Sequence, residues 1–533
     1  MEEASMPHVV VCPDSAAGHN IPFLQFVRRL GAEGVVITIA SSDRHILELK
    51  SLVGSSPDLI PQGLPLRLLG LRDNKPHLLN SEWRKLLREP GSKENLRVIH
   101  LLQELVTDVA SSDSQQLRGV QPAGPPVCII YDMFNVWAQT AAKELRIESH
   151  LLWVSPACWA SCAMEAPRLF QDGRLPITRD TRDMIFADIP GLPPTRAMDL
   201  PAPLLEPSAS LGEIQKSFAH ISQADVILIN TCYALEKPVL DARSGNEGVG
   251  SSDLQAKHFL DIGPLLLETS VLSDGGAAGG TTQQILEETD PCMLWLNTQA
   301  PNSVLFISFG SWATLSARQL VEMALGLEAS GACFLWILKP PNAGPSTAAS
   351  RTPVPVKEYL PPGFEERIKG RGLCYSGWAP QMRILKHPAV GGFLSHCGWN
   401  SSLETLSAGV PVLAWPMNAE QHLIRRSFVD RLKVAIELKA NAYTKDELES
   451  DVPRPVVFMS KEEIARKARS LMQEAEGQVV RENIQKLWTE CLEAVAAGGS
   501  SRRNLETYVR HLHSIAQSRS ASHFGKKNSA AMI

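Results

Sequence analysis

The chain predicts an α/β protein built as two doubly wound halves that face a central cleft. Three observations carry that reading. Continuous apolar runs of strand length alternate with stretches of helical spacing, the pattern of parallel sheets covered on both faces. A run of Gly, Ala, Ser and Thr around Leu272–Thr282 then breaks the series with the composition of a linker. Beyond it a second strand–helix series starts afresh, and 533 residues leave room for two large domains. Open sheets of this kind bind ligands at the carboxyl ends of their strands, so the chemistry is sought there.

In order along the first half, His8–Pro13 reads as a buried strand, Asp14–Asn20 as a polar turn, Ile21–Leu30 as a helix and Val35–Ala40 as the next strand. The pattern recurs in the strand Pro126–Tyr131, the helix Asn135–Leu145 and the strands His150–Val154 and Ala224–Asn230. The second half opens with the strand Ser303–Phe309, the helix Ser316–Ser330 and the strand Cys333–Lys339. It continues through Leu373–Ser376, Gly392–Leu394 and Val410–Ala414, with Pro340–Pro355 as an inserted loop. From Lys461 the chain reads as helical to about Ala516, and Gln517–Ile533 as a frayed tail. No repeat with a period of 20–50 residues appears, which excludes a solenoid.

Composition narrows the function. Charged residues make up 20% of the chain and hydrophobic ones 44%, enough to build cores and to exclude global disorder. A net charge of −5 argues against a nucleic-acid partner or a polybasic membrane surface. No apolar run approaches the ~18 residues of a membrane span. The start, Met1-Glu2-Glu3-Ala4-Ser5, lacks the basic region of a secretory signal, so the expected location is cytoplasmic. Ten scattered cysteines without a C-x-x-C pair argue against a disulfide framework or structural zinc, and Cys158 and Cys162 are spaced for one helix face. The sequon Asn400-Ser401-Ser402 falls in a stretch read as a buried functional loop and is discounted.

There is no P-loop, no G-x-G-x-x-G after a strand, no G-x-S-x-G and no D-x-D, which weakens ATPase, dehydrogenase, serine-hydrolase and aspartate-held-metal readings. His19 follows the first strand within Gly18-His19-Asn20-Ile21-Pro22, where an imidazole suits general-base work or caps the next helix. Asp132 also ends an apolar strand and could meet His19 at the same sheet edge, fixing its tautomer. The competing role for Asp132 is N-cap of a helix over Phe134–Leu145.

The densest constellation runs from Trp378-Ala379-Pro380-Gln381 to Ser395-His396-Cys397-Gly398-Trp399-Asn400-Ser401-Ser402-Leu403-Glu404. Asn400 or Ser401 would open a helix that Gly409 ends, and its first N–H groups, with His396 beside them, suit a diphosphate. Glu404 could accept the two hydroxyls of a ribose, or close a capping box with Ser401. His387 precedes its strand and reads as structural.

The run Trp378 to Gln421 resembles the signature box of plant secondary-product glycosyltransferases, family 1 enzymes that use UDP-sugars. It carries Trp378, Gln381, His396-Cys397-Gly398-Trp399-Asn400-Ser401, Glu404 and Glu420-Gln421 at the family spacing. Gly18-His19-x-x-Pro22 resembles the family's N-terminal motif. Pro190-Gly191-Leu192-Pro193-Pro194, Asn230-Thr231-Cys232, Ile262-Gly263-Pro264-Leu265, Ser308-Phe309-Gly310-Ser311 and Leu360-Pro361-Pro362-Gly363-Phe364 resemble its recurrent stretches.

The resemblance implies a GT-B architecture of two Rossmann-like domains: residues 1–264 for the acceptor, 265–289 as linker and 290–498 for the UDP-sugar. A helix over 499–516 would cross back to the N-terminal domain, and 517–533 would form a flexible tail. It implies His19 as general base with Asp132 behind it. Trp378 would stack on uracil, with Ala379 and Gln381 near base and ribose and Glu404 on the ribose. Ser311, His396, Trp399, Asn400 and Ser401 would bind the diphosphate, and Glu420 and Gln421 the sugar. Relatives often carry Thr after the aromatic residue matched here by Trp153; this chain has Val154-Ser155, and Ser155 would substitute. Phe23, Phe134, Trp137, Trp153 and Trp159 could line an apolar acceptor pocket or belong to the core.

The expected function is therefore inverting transfer of glucose from UDP-glucose to a hydroxyl of a small lipophilic acceptor, such as a flavonoid or phenol. No metal or other cofactor is expected, the partners are the acceptor and the UDP-sugar, and a monomer is the expected state. The alternatives are a UDP-sugar epimerase of the same fold and a non-catalytic sugar-nucleotide-binding protein.

Overall fold

Strands that are apolar on both faces need cover on both faces, and every residue of HVVVC at His8–Cys12 is indeed buried. The computed structural model describes residues 6–55, 64–71, 87, 92–106, 125–205, 217–243, 259–266, 290–341, 356–439 and 458–530. The chain forms two compact units, the first from Met1–Pro167, Gly212–Leu265 and Ala494–Ile533, the second from Arg168–Leu211 and Leu266–Glu493. Most of the expected linker, and the expected insertion after residue 341, lie outside the described residues.

The first unit holds β1 (His8–Cys12), β2 (Val36–Ser41), β3 (Leu66–Gly70), β4 (Cys128–Tyr131) and β5 (Glu148–Trp153). After the small hairpin β6 (Ile185–Phe186) and β7 (Thr195–Arg196) of the second unit, the first sheet resumes with β8 (Val226–Ile229) and β9 (Phe259–Asp261). Its order is β3-β2-β1-β4-β5-β8-β9, and its neighbours pair in parallel. The second sheet comprises β10 (Val304–Ser308), β11 (Cys333–Ile337), β12 (Gly372–Tyr375), β13 (Val390–Ser395), β14 (Val412–Ala414) and β15 (Ala435–Glu437). Its parallel order is β12-β11-β10-β13-β14-β15. Each sheet winds outward both ways from a central pair, β1 with β4 and β10 with β13, so each has one topological switch point.

Besides the hairpin β6–β7, the strands absent from the sequence reading, β3, β9 and β15, all lie at the edges of the two large sheets, where strands are short. Four helices matter below: α1 (Ala17–Ala32), α2 (Trp137–Leu145), α3 (Trp399–Ala408) and α4 (Ser500–Ala530). Among the described residues no helix is long and apolar enough to cross a membrane.

Helix α4 completes the first core. Leu505, Tyr508, Val509 and Leu512 are buried together with Phe23, Phe26, Val9 and Ile130. Polar contacts fix its register: Asn504 Nδ2 donates to Asp261 Oδ1 at 2.7 Å, and Arg502 pairs with Glu33 at 2.7 Å. The Tyr508 hydroxyl meets His150 Nδ1 at 2.8 Å, while His150 and His511 both donate to Glu148 Oε2, at 2.9 and 2.7 Å. Two assignments change here. The helix runs to Ala530, so no frayed tail begins at Gln517, and Arg519 donates to the carbonyls of Pro126 and Arg146. The segment Arg168–Leu211, expected in the N-terminal domain, belongs to the second unit. Arg425 Nη2 donates to Asp199 at 2.9 Å, Arg426 to the Pro194 carbonyl at 2.6 Å, and Ala202 N–H to the Ala419 carbonyl at 3.0 Å.

Two of the recurrent stretches prove to be each other's partners. Asn230 Oδ1 accepts from Leu265 N–H at 2.9 Å, and a Cβ on Gly263 would lie 2.8 Å from the Thr231 backbone nitrogen. That contact requires glycine by close approach of two backbones.

Candidate functional site

At the first switch point the loops after β1 and β4 are laced together. Asn135 Nδ2 donates to the Cys12 and Pro13 carbonyls at 3.1 and 3.0 Å. Helix α1 starts at Ala17, earlier than expected, because Ala16 is its N-cap and the N–H groups of His19 and Asn20 already bond the Ala16 carbonyl. His19 therefore sits in the first helical turn and does not cap the helix. Asp132 is not a helix cap either: α2 begins at Trp137, and Asp132 Oδ1 instead accepts the Phe134 N–H at 2.9 Å in a tight turn. Its Oδ2 lies 2.7 Å from His19 Nδ1.

The carboxylate is 0% exposed and the imidazole side chain 18%. An ionised carboxylate only accepts, so the shared proton sits on Nδ1 and the lone pair of the neutral ring on Nε2. The Phe134 ring flanks His19 with centroids 4.9 Å apart. Ser155 is half-buried just past β5. The other aromatic candidates are buried. Phe23 packs into the first hydrophobic cluster, Trp137 donates to Asn135 Oδ1, and Trp153 at the end of β5 packs on Trp159 of the helix that follows.

The second switch point gathers the loops after β10 and β13 and has a different construction. His396 lies between two glycines: a Cβ on Gly310 would reach its ring at 2.8 Å, and one on Gly398 would reach Nε2 at 2.5 Å. Gly310 also has φ +71°, a left-handed conformation that glycine adopts without cost, and Cys397 holds φ +64° as a strained non-glycine residue. Burial, with Lys339 adding repulsion, holds His396 down at about 4, so its imidazole is neutral near pH 7. His396 Nδ1 has no hydrogen-bond partner among the described residues. A buried polar nitrogen without a partner is costly, and a ligand or a water can supply the missing bond.

Helix α3 opens beside it at Trp399, with Gly398 as N-cap and no side-chain cap, and its first intrahelical bond runs from Ser402 N–H to the Gly398 carbonyl. The N–H groups of Trp399, Asn400 and Ser401 precede that bond and head the helix dipole. This start removes the capping-box reading, since Ser401 lies at the third helical position and Glu404 at the sixth. Gln381 Nε2 instead donates to Glu404 Oε2 at 2.5 Å and to Ser401 Oγ at 2.9 Å. Burial pushes the Glu404 carboxyl up to about 7, against the pull of the Gln381 bond.

Trp378 is 40% exposed, unusual for so large an apolar ring, and Ala379 follows it just before the short helix Gln381–Leu385. Ser311 lies in the turn after β10. Glu420 and Gln421 follow Ala419, whose φ is +50°. The Gln421 side-chain carbonyl accepts from the N–H groups of Met417 and Asn418 at 2.8 and 2.9 Å, so it braces its own loop and presents only its amide as donor. His387 bonds Asn297 and the Ala389 N–H, a structural role. Sequence reasoning missed Lys339, whose Nζ donates to the Ser311 carbonyl at 2.5 Å; its only sequence signal was a cation at the end of an apolar strand.

Residues 276–466 match the family model described as "UDP-glucoronosyl and UDP-glucosyl transferase". A phloretin 2'-O-glucosyltransferase from Malus domestica is 35% identical over 401 residues, 74% of this chain and 78% of that protein. UDP-glycosyltransferase 88F4, also from Malus domestica, is 33% identical over 75% of this chain and 80% of its own length. Among solved structures, UGT2 of Phytolacca americana, complexed with UDP-2-fluoro-glucose and pterostilbene, superposes with a TM-score of 0.69 at 25% identity. That likeness covers 96% of this chain and 100% of that one.

Proposed function

Since the chain belongs to the UDP-glucoronosyl and UDP-glucosyl transferase family, we propose that it moves glucose from UDP-glucose to a hydroxyl of a small lipophilic acceptor, a phenol or flavonoid. It is a UDP-dependent glycosyltransferase of the GT-B fold; the sugar, the acceptor and the residue roles are the proposal. The observation that carries it is the 2.7 Å contact between His19 Nδ1 and a fully buried carboxylate at a switch point. A second switch point lined by a neutral imidazole, whose Nδ1 has no partner among the described residues, and by a helix start supports the donor half. The phloretin glucosyltransferase and the structure with UDP-2-fluoro-glucose and pterostilbene support glucose and a hydroxylated aromatic acceptor. Neither an epimerase nor a non-catalytic binder gains an observation in its favour.

In this mechanism His19 Nε2 takes the acceptor's hydroxyl proton as that oxygen attacks the anomeric carbon. The bond from the anomeric carbon to the diphosphate oxygen breaks, UDP departs with the electron pair, and the centre inverts. Asp132 offsets the charge the imidazole gains. Trp378 stacks on uracil, with the Ala379 backbone and Gln381 at its edge, and Glu404 accepts from the ribose hydroxyls. His396, Ser311, the Trp399 backbone, Asn400 and Ser401 aim donors at the charge developing on UDP, a preorganised set that makes turnover metal-independent. Glu420 and the amide of Gln421 hold the sugar hydroxyls, and Ser155, one residue past the position where relatives place a threonine, substitutes for it.

The test incubates the full chain with UDP-glucose, with and without a panel of phenols and alcohols, and reads products by mass spectrometry. Acceptor-dependent glycoside formation is expected, with kcat/KM higher for UDP-glucose than for UDP-galactose. UDP release that ignores the acceptor would overturn the transferase mechanism, and a preference for UDP-galactose would overturn the donor assignment.

A further inference from the structure

A half-buried lysine near an anion site needs an explanation, because a cation taken out of water without a counter-charge is costly. Lys339 lies two residues beyond β11, which runs parallel beside β10, so it reaches the same carboxyl edge as Ser308, Gly310 and Ser311. It lines a recess together with Ser308, Gly310, Ala313, Thr314 and Trp336. Its ammonium donates to the Ser311 main-chain carbonyl at 2.5 Å, a neutral partner. Among the described residues no carboxylate pairs with it, and the sequence over 340–355 contains no Asp or Glu. Burial lowers its affinity for a proton to about 8, as expected of a cation that lacks a counter-ion, and its charge is felt at His396.

We propose that Lys339 is a positioning residue of the donor site, holding the Ser311 turn from behind and supplying the positive charge that the donor's diphosphate completes. The inference rests on the donor-site reading above and adds to it a cation from β11, a strand outside the switch-point pair. Positive charge behind the turn acts on the diphosphate and not on the base or ribose, so the effect should separate by ligand. With no divalent ion invoked, it also gives the departing UDP its one full positive charge among the residues assigned to it.

The experiment measures binding of UDP and of uridine, which has no phosphate, to the full chain by calorimetry and ligand-observed NMR. The variants are Lys339→Met, Lys339→Arg and, as a control on the donor site, Trp378→Ala. Lys339→Met is expected to weaken UDP by about tenfold or more, the scale of a charge-assisted hydrogen bond, and to leave uridine unchanged. Lys339→Arg should restore most of the loss, and the salt dependence of UDP binding should flatten in Lys339→Met. Equal losses for UDP and uridine would reduce Lys339 to a prop for the fold, and unchanged UDP binding would remove it from the site; either overturns the proposal. If Trp378→Ala leaves both ligands untouched, the donor-site reading has failed; if it weakens both while Lys339→Met weakens neither, only the lysine inference has.

Discussion

The two switch points of this molecule share a topology and differ in nearly everything else. At β1 and β4 an ionisable pair is locked side chain to side chain, His19 on Asp132 at 2.7 Å. At β10 and β13 the imidazole of His396 is kept neutral, without a partner for Nδ1 among the described residues, and cornered by Gly310 and Gly398. A parallel sheet therefore supplies a place and not a chemistry. A buried carboxylate beside one histidine suits a proton acceptor, and glycine, a helix start and a desolvated histidine suit an anion seat, the two roles proposed above.

The sharpest way to break the comparison is to remove the pair. His19→Ala should lower kcat/KM by about 10²–10⁴, the usual worth of a general base, with UDP affinity unchanged. Asp132→Ala should cost a comparable factor and the double variant little more, because the two act as one unit. Near-wild-type turnover by folded His19→Ala would leave the first switch point without a chemical role. Gly310→Ala attacks the other side: its Cβ meets the His396 ring at 2.8 Å at a positive φ, so UDP should bind at least about tenfold more weakly while the proton-transfer pair is intact. If the variant bound UDP normally, His396 could not be the cornered donor described here.

A smaller effect should follow pH. Burial holds the Glu404 carboxyl up at about 7; in the proposed site its ionised form would accept from ribose hydroxyls, so ligand binding would favour loss of its proton. Uridine affinity should then fall as pH drops from about 8 to 6 and the carboxyl protonates, and Glu404→Gln should abolish that slope. A slope that survives in Glu404→Gln would assign it to another group. The smallest effect expected is that of chelation: EDTA should leave turnover nearly intact, and a complete, magnesium-reversible loss would contradict a donor site built from protein groups alone.

Much of this was legible in the sequence where chemistry and position coincide. Val9-Val10-Val11 can only be a strand buried on both faces, and His396-Cys397-Gly398-Trp399-Asn400-Ser401 carries its own local geometry. What stayed hidden depends on distance along the chain. Lys339 and Ser311 meet because β11 happens to lie beside β10. Asp199 belongs with Arg425, 226 residues away, which nothing near either residue announces. Glu404 was ambiguous for another reason: Ser-x-x-Glu satisfies a capping box on paper, and only the actual start of α3 at Trp399 rules it out. Phe23 and Trp137 stayed open between pocket and core because an aromatic beside a sheet looks the same in sequence whether it faces a ligand or the core, and both are buried here.

The place of α4 carries a consequence for how the chain is made. Residues 494–533 supply Leu505, Tyr508 and Leu512 to a core that begins at Val9, so the half synthesised first is the half completed last. As the polypeptide leaves the ribosome, the second unit has all its residues once Glu493 has emerged, while the first still waits with an open apolar face. A nascent chain stalled with Glu493 just outside the exit tunnel should thus resist proteolysis within residues 290–341 and 356–439 and be cut within residues 1–167. Release of the last forty residues should close that window, and equal protection of both halves before release would show that the early half can manage without its final helix.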